Sequence, residues 1–214
     1  MMDDSSSQAL FERIAIDLLR DGYSILPNAF PEPLSKALSA HSQRVDTDAF
    51  KDAGIGRSTE HMILETVRKD AISWITADTP VGSLWLAWAA SLQLYLNRRL
   101  FLGLFSFESH FAHYAPGAFY KRHFDAFKGD TNRIVSLVAY LNHNWQPTDG
   151  GEIVIFKNDA DVAGLKVPPR FGTLAVFLSE DFAHEVLPTT VDRHSIAGWF
   201  RVNTSTTKAV DPPR

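Results

Sequence analysis

The sequence predicts an α+β domain in which helices come first and a run of short strands then closes as a sandwich or barrel. Three observations point there. Up to Arg99, apolar residues recur at the spacing of helix faces. After Arg99, short segments rich in β-branched and aromatic residues take over. Clusters of Gly, Pro, Asp and Asn separate those segments at close intervals.

Residues 7–21 set Leu10, Phe11, Ile14, Ala15, Leu18 and Leu19 on one helical stripe, with Gly22 as its stop. "YSILP" (23–27) reads as a short strand, and "PEPLSKALSAHSQR" (31–44) as a helix with Pro in its first turn. Residues 45–60, rich in Asp, Gly and Ser, read as a long loop. A third helix is expected over 81–100, where Leu84, Trp85, Trp88, Leu92, Tyr95 and Leu96 form its apolar face. Seven strands are expected at 104–115, 118–127, 133–142, 152–156, 172–178, 184–188 and 194–203. One domain is expected over 1–214: a helix-rich supporting part to about 103, a strand-rich core over 104–203, and a frayed tail at 204–214.

Composition narrows the chemistry. At 45% hydrophobic and 12% aromatic, the chain can build a packed core. A net charge of −4 without a basic block argues against a nucleic-acid surface. With no cysteine, disulfide scaffolds, thiolate zinc sites, Fe–S clusters and thiol nucleophiles are excluded, so any metal must be held by His and carboxylates. The start lacks a basic region followed by an apolar block, and the apolar stretch at 81–96 is broken by Ser83, Ser91 and Gln93. A cytoplasmic protein without a membrane span is the expectation.

"FYKRHFDAF" (119–127) contains His123-Phe124-Asp125. By composition alone a His-x-Asp is expected about 0.6 times in this chain, so the motif needs support. On a strand, 123 and 125 share a face. That supplies two ligands of a 2-His-1-carboxylate triad, a donor set suited to non-heme Fe(II). Candidates for the third ligand include His110, His113, His143 and His194, each more ordinarily a core or surface residue. His184 differs, because it opens "HEVLP" directly after a strand and turn. Nine residues on stands Arg193, whose planar fork can clamp a carboxylate. A buried arginine there requires an anion opposite, either from the protein or from a bound organic acid.

These residues resemble the iron- and 2-oxoglutarate-dependent oxygenases, and more narrowly their prolyl 4-hydroxylase branch, which includes the hypoxia-factor prolyl hydroxylases and their bacterial relatives. "RIVSLVAYLNHNW" (133–145), "GGEIVIF" (150–156), "GTLAVFLS" (172–179), "HEVLP" (184–188) and "RHSIAGWF" (193–200) are similar to that branch in order and spacing. So are "RKDAISW" (68–74) and "YAPGAFYKRH" (114–123), and the resemblance covers roughly 20–203.

The resemblance implies a double-stranded β-helix (jelly-roll) core with the N-terminal helices packed on one sheet. It implies Fe(II) bound by His123, Asp125 and His184, and 2-oxoglutarate held through Arg193 with Tyr140 and Tyr114 beside it. O2 would be the second cosubstrate, with succinate and CO2 as coproducts of hydroxylation. Arg68, Asp70, Trp74 and Arg133 would lie at the substrate entrance, the 45–60 loop would close over the substrate, and the partner would be a protein bearing a target proline. Ala197 stands where the animal enzymes have a threonine, so oxygen sensing is not implied. The same chemistry on a free amino acid or small metabolite, and a non-catalytic jelly-roll binding module, are the competing readings.

Overall fold

Among the described residues, two antiparallel sheets face each other, with three helices packed on the outer face of the larger one. The computed structural model describes residues 4–44, 51–52, 67–126 and 132–203. Its elements are α1 (Asp4–Asp21), β1 (Tyr23–Leu26), α2 (Glu32–Ser42), β2 (Lys51–Asp52), β3 (Asp70–Trp74), α3 (Pro80–Leu100) and β4 (Ser106–Tyr114). There follow β5 (Tyr120–His123), β6 (Arg133–Tyr140), β7 (Ile153–Phe156), β8 (Leu165–Val167), β9 (Leu174–Leu178), β10 (Ala183–Val186) and β11 (Arg193–Arg201). Most of the loop expected at 45–60, and the tail at 204–214, lie outside the described residues.

The helices stop and start where their end chemistry dictates. Gly22, at φ +78°, takes the left-handed conformation that closes α1, and its N–H bonds Leu18 O at 3.0 Å. Thr79 caps α3 by accepting from the Gly82 N–H at 3.0 Å, with Pro80 in the first turn where its missing N–H costs nothing. Among the described residues no helix is long and apolar enough to cross a membrane.

The larger sheet has the order β1-β9-β6-β11-β4-β3-β2, and the smaller β5-β10-β7-β8. Strand alternation divides the larger sheet's side chains between two environments. Val135, Leu137 and Ala139 of β6, with Ile196 and Phe200 of β11, pack with Phe11, Ile14, Trp85, Trp88 and Leu92 of the helices. The opposite parity, Val138 and Tyr140, packs with Ile153 and Ile155 of β7 and Phe177 of β9 between the sheets. This is the jelly-roll of an α+β fold, and the space between its sheets receives the polar residues described below.

Several expectations change in detail. β5 ends at His123, so Asp125 is not on the strand and the shared-face argument does not place it. The segment 70–74 forms β3 and pairs β4, so the supporting part adds β1, β2 and β3 to the larger sheet. β8 is a short strand the turn-rich sequence concealed. Leu19 and Leu84 are 75% and 50% exposed, outside the buried stripes assigned to them.

Candidate active site

Sheet register brings the two histidines together. On the antiparallel pair β5 and β10, His123 lies directly opposite His184, and their ring centroids are 4.3 Å apart. Each ring is oriented through Nδ1: His123 Nδ1–H meets Lys121 O at 2.7 Å, and His184 Nδ1–H meets Phe182 O at 3.2 Å. That tautomer leaves both Nε2 lone pairs free for a cation, with the Asp125 carboxylate 3.8 Å from His123 Nε2 and 3.6 Å from His184 Nε2. The donor atoms of all three lie within 4.8 Å of one another.

Electrostatics favour ligand forms. Burial, then the neighbouring His184, hold the protonated form of His123 well below its ordinary pKa. Burial alone would push Asp125 up, but His184, His123 and the Ser136 hydrogen bond outweigh it, and the carboxyl sits below its usual range. A neutral imidazole and an ionised carboxylate, with no thiolate, fit a borderline cation such as Fe(II).

Arg193 answers the question its sequence position posed. It opens β11, is 1% exposed, and forms no ion pair with a carboxylate among the described residues. Its Nε–H donates to Gly151 O at 2.8 Å and Nη1 to Ser195 Oγ at 3.2 Å, while its guanidinium lies 4.7 Å from the Tyr114 ring and 5.2 Å from the Tyr140 ring. Tyr140 is fully buried and its hydroxyl, which faces Arg193, makes no hydrogen bond of ordinary geometry among the described residues; burial pushes its pKa up to about 12, so it remains a donor. A buried cation without an anion beside a phenol without a partner matches a dicarboxylate's distal end. Gly151, which sequence reasoning missed, makes this possible: at φ +68°, a Cβ there would come within 3.0 Å of Arg193 Cδ.

A cavity of about 370 Å³ joins these groups, its wall including His123, Asp125, His184, Arg193 and Tyr114. Tyr140, fully buried, adjoins it through Arg193. The other expected residues reach the same cavity but are not idle charges. Arg68 and Asp70 hold each other through two bonds of 2.6 Å, with Arg68 4.5 Å over the Tyr120 ring. Arg133 bonds Glu108 at 2.8 Å and lies 3.8 Å over Trp199. Trp74, 49% exposed, sits at the rim with its ring against His110. Ala197 also lines the cavity and offers no hydroxyl.

His110, by sequence an ordinary strand histidine, belongs to the cavity. It is 4% exposed, lines the cavity, and bonds Phe111 O through Nδ1 at 3.2 Å. Burial lowers its pKa to about 4, so it is neutral. The available signal was parity: 110, 112 and 114 share the face that carries Tyr114.

Comparison with known proteins agrees with the geometry. The 2OG-Fe(II) oxygenase superfamily matches residues 109–201. A Pseudomonas putida prolyl-4-hydroxylase is 40% identical, with 90% of this chain and 98% of that chain covered and a TM-score of 0.78. A prolyl hydroxylase from Trichoplax adhaerens, solved in complex with a hypoxia-inducible-factor oxygen degradation domain peptide, is 25% identical over 92% of this chain and 91% of that chain, with a TM-score of 0.79. A prolyl 4-hydroxylase from Phytophthora capsici, 19% identical over 94% of this chain and 66% of that chain at a TM-score of 0.75, shares the fold. The intact set of metal donors, the buried arginine and these similarities exclude the binding-module reading: the chain belongs to the 2OG-Fe(II) oxygenase superfamily, in its prolyl 4-hydroxylase branch, and is a 2-oxoglutarate-dependent dioxygenase that uses Fe(II) and O2.

Proposed function

We propose that the enzyme hydroxylates a prolyl residue in a protein or peptide substrate, releasing succinate and CO2 as coproducts. The observation that carries this reading is the 40% identity to the Pseudomonas putida prolyl-4-hydroxylase across nearly the whole of both chains. The peptide bound to the Trichoplax adhaerens relative supports a polypeptide rather than a free amino acid.

In this reading His123 Nε2, Asp125 and His184 Nε2 hold Fe(II), and Arg193 with Tyr140 holds the distal carboxylate of 2-oxoglutarate. When bound, the metal and keto acid supply the oxidising power that couples decarboxylation to insertion of one oxygen atom into a C–H bond. The chain's own part is placement. The Arg193 fork offers paired N–H groups to one carboxylate, and the protonated Tyr140 hydroxyl donates to the same group. Tyr114 covers the guanidinium and excludes water from that contact. Val138, Ile153 and Val186 give the cavity an apolar wall that keeps the reacting end dry.

The substrate would enter past Trp74, whose half-exposed ring offers an apolar face to a proline. Arg68, Asp70 and Arg133 would orient its backbone, the first two as a mutually fixed pair, the third pinned by Glu108 and Trp199.

The test incubates anaerobically purified, Fe(II)-loaded protein with 2-oxoglutarate and air, alone and with peptides from a cell lysate. Succinate release stimulated by peptides, with one added oxygen atom on proline by mass and loss of both in His123→Ala and Arg193→Ala, is the expected result. Succinate without modified proline would move the assignment to another substrate of the same chemistry.

A further inference from the structure

We propose that Ser136, braced by Ser179, is the positioning residue that fixes Asp125 as a metal ligand through one oxygen and holds it ready before metal arrives; this rests on the reading of His123, Asp125 and His184 as the ligands. The two histidines are held by the ladder between β5 and β10 and by their Nδ1–H bonds to backbone carbonyls. Asp125 has neither support, because it lies two residues past the end of β5. What holds it is the Ser136 hydroxyl, which donates to Oδ2 at 2.6 Å, with the Trp199 indole as a weaker second neighbour of the carboxylate.

Ser136 belongs to β6, in the larger sheet, so this bond spans the gap between the sheets and ties the smaller sheet's edge to the larger sheet's interior. An ionised carboxylate can only accept, which sets the direction of the Ser136 proton. The Ser136 oxygen is then open to a donor, and Ser179 Oγ stands 2.9 Å away with no solvent exposure. Ser179 therefore donates to Ser136, and Ser136 to Asp125, each bond polarising the next.

Ser179 is itself fixed, since its N–H bonds Ile134 O at 3.0 Å, and it opens the turn that leads to His184. The relay thus links the segment bearing Asp125, the central strand β6 and the approach to His184. Oδ2 accepts from Ser136 and stands 3.6 Å from His184 Nε2, so the oxygen proposed for the cation is Oδ1, which lies 3.8 Å from His123 Nε2. Ala197 adds no competing hydroxyl to this wall.

Cobalt(II) titration followed by visible absorption, with the fold checked by circular dichroism, tests the proposal without a substrate. Ser136→Ala and Ser136→Val are expected to bind cobalt(II) roughly 10- to 100-fold more weakly than wild type and to shift its d–d bands, as loss of a ligand's hydrogen-bond partner does. Ser136→Thr, the same shape as Val with the hydroxyl retained, is expected to stay within about threefold of wild type. Ser179→Ala should lose less than Ser136→Ala, since the direct bond remains. Equal affinities for the Val and Thr variants, or a Ser136→Ala variant indistinguishable from wild type in affinity and spectrum, would overturn the proposal. Asp125→Ala separates the two levels. If it loses cobalt(II) while the Ser136 variants keep it, the positioning role alone falls; if it too binds normally, the ligand assignment falls with it.

Discussion

Replacing Arg193 with methionine gives the most direct measure of what the buried guanidinium is for. The group has five N–H donors, of which two are used, on Gly151 O and Ser195 Oγ, leaving three with no acceptor among the described residues. Two of the three on one carboxylate, at about 1.5–3 kcal/mol for each charged hydrogen bond, amount to about 3–6 kcal/mol. At about 1.4 kcal/mol per tenfold, Arg193→Met should bind 2-oxoglutarate roughly 100- to 10,000-fold more weakly. Anaerobic calorimetric titration of the manganese(II)-loaded protein reads this directly. A thermal shift gives a second reading. At a ligand concentration of about 100 Kd the wild type gains about 2.7 kcal/mol. For a chain of this size that raises Tm by about 5–11 °C, and the variant, gaining at most about 0.4 kcal/mol, should shift by no more than about 2 °C. The ligand-free variant should melt close to wild type, because losing the hydrogen bonds to Gly151 and Ser195 is offset by no longer burying an unpaired cation. A folded Arg193→Met protein that binds 2-oxoglutarate within about threefold of wild type would refute the carboxylate clamp.

Other perturbations test the scaffold around the cavity. His110 has its pKa lowered to about 4 by burial, from an ordinary 6.5. Between those values the unfolded chain binds a proton that the native one refuses, so stability falls as pH drops, by at most about 3 kcal/mol below pH 4. Urea unfolding of wild type and His110→Gln across that window should show a shallower acid loss in the variant, and parallel profiles would count against a neutral buried ring. Asp70→Ala leaves the Arg68 guanidinium, its side chain 13% exposed, without its partner and should cost about 3–5 kcal/mol in urea unfolding. The double variant Arg68→Met with Asp70→Ala should recover much of that, and a double variant as unstable as the summed singles would show that the pair is not coupled. Gly198→Ala should lose about 1–3 kcal/mol, because its Cβ would stand 2.6 Å from Phe107 Cζ and 3.0 Å from Ser109 Cβ. A Tm equal to wild type would mean that the helix-facing core relaxes around the methyl.

The pattern of the chain told helices from strands where one face is apolar. α3 is legible because Trp85, Trp88 and Leu92 recur at helical spacing, and β6 because Ile134, Val135, Val138 and Tyr140 make its segment rich in β-branched and aromatic residues. β3 was illegible for the opposite reason. Its cavity face carries Asp70, Ile72 and Trp74, a mixture no alternation rule selects. In the sequence the segment stands out only through its resemblance to an entrance motif.

Residue identity determined the donor types on offer: imidazoles and a carboxylate that suit a metal, a guanidinium that suits a carboxylate, and no cysteine to compete. Those choices follow from side-chain chemistry and need no neighbours. Tertiary structure decided which side chains meet. The register of β5 against β10 sets His123 opposite His184. A bend beyond β5, not strand parity, delivers Asp125, and Ser136 of the other sheet holds it there. Among the described residues the same packing left Arg193 without a protein carboxylate while giving Arg68 and Arg133 one each. A sequence lists charges in covalent order, whereas the worth of a charge depends on burial and on partners tens of residues away, which are fixed only once the sheets have paired.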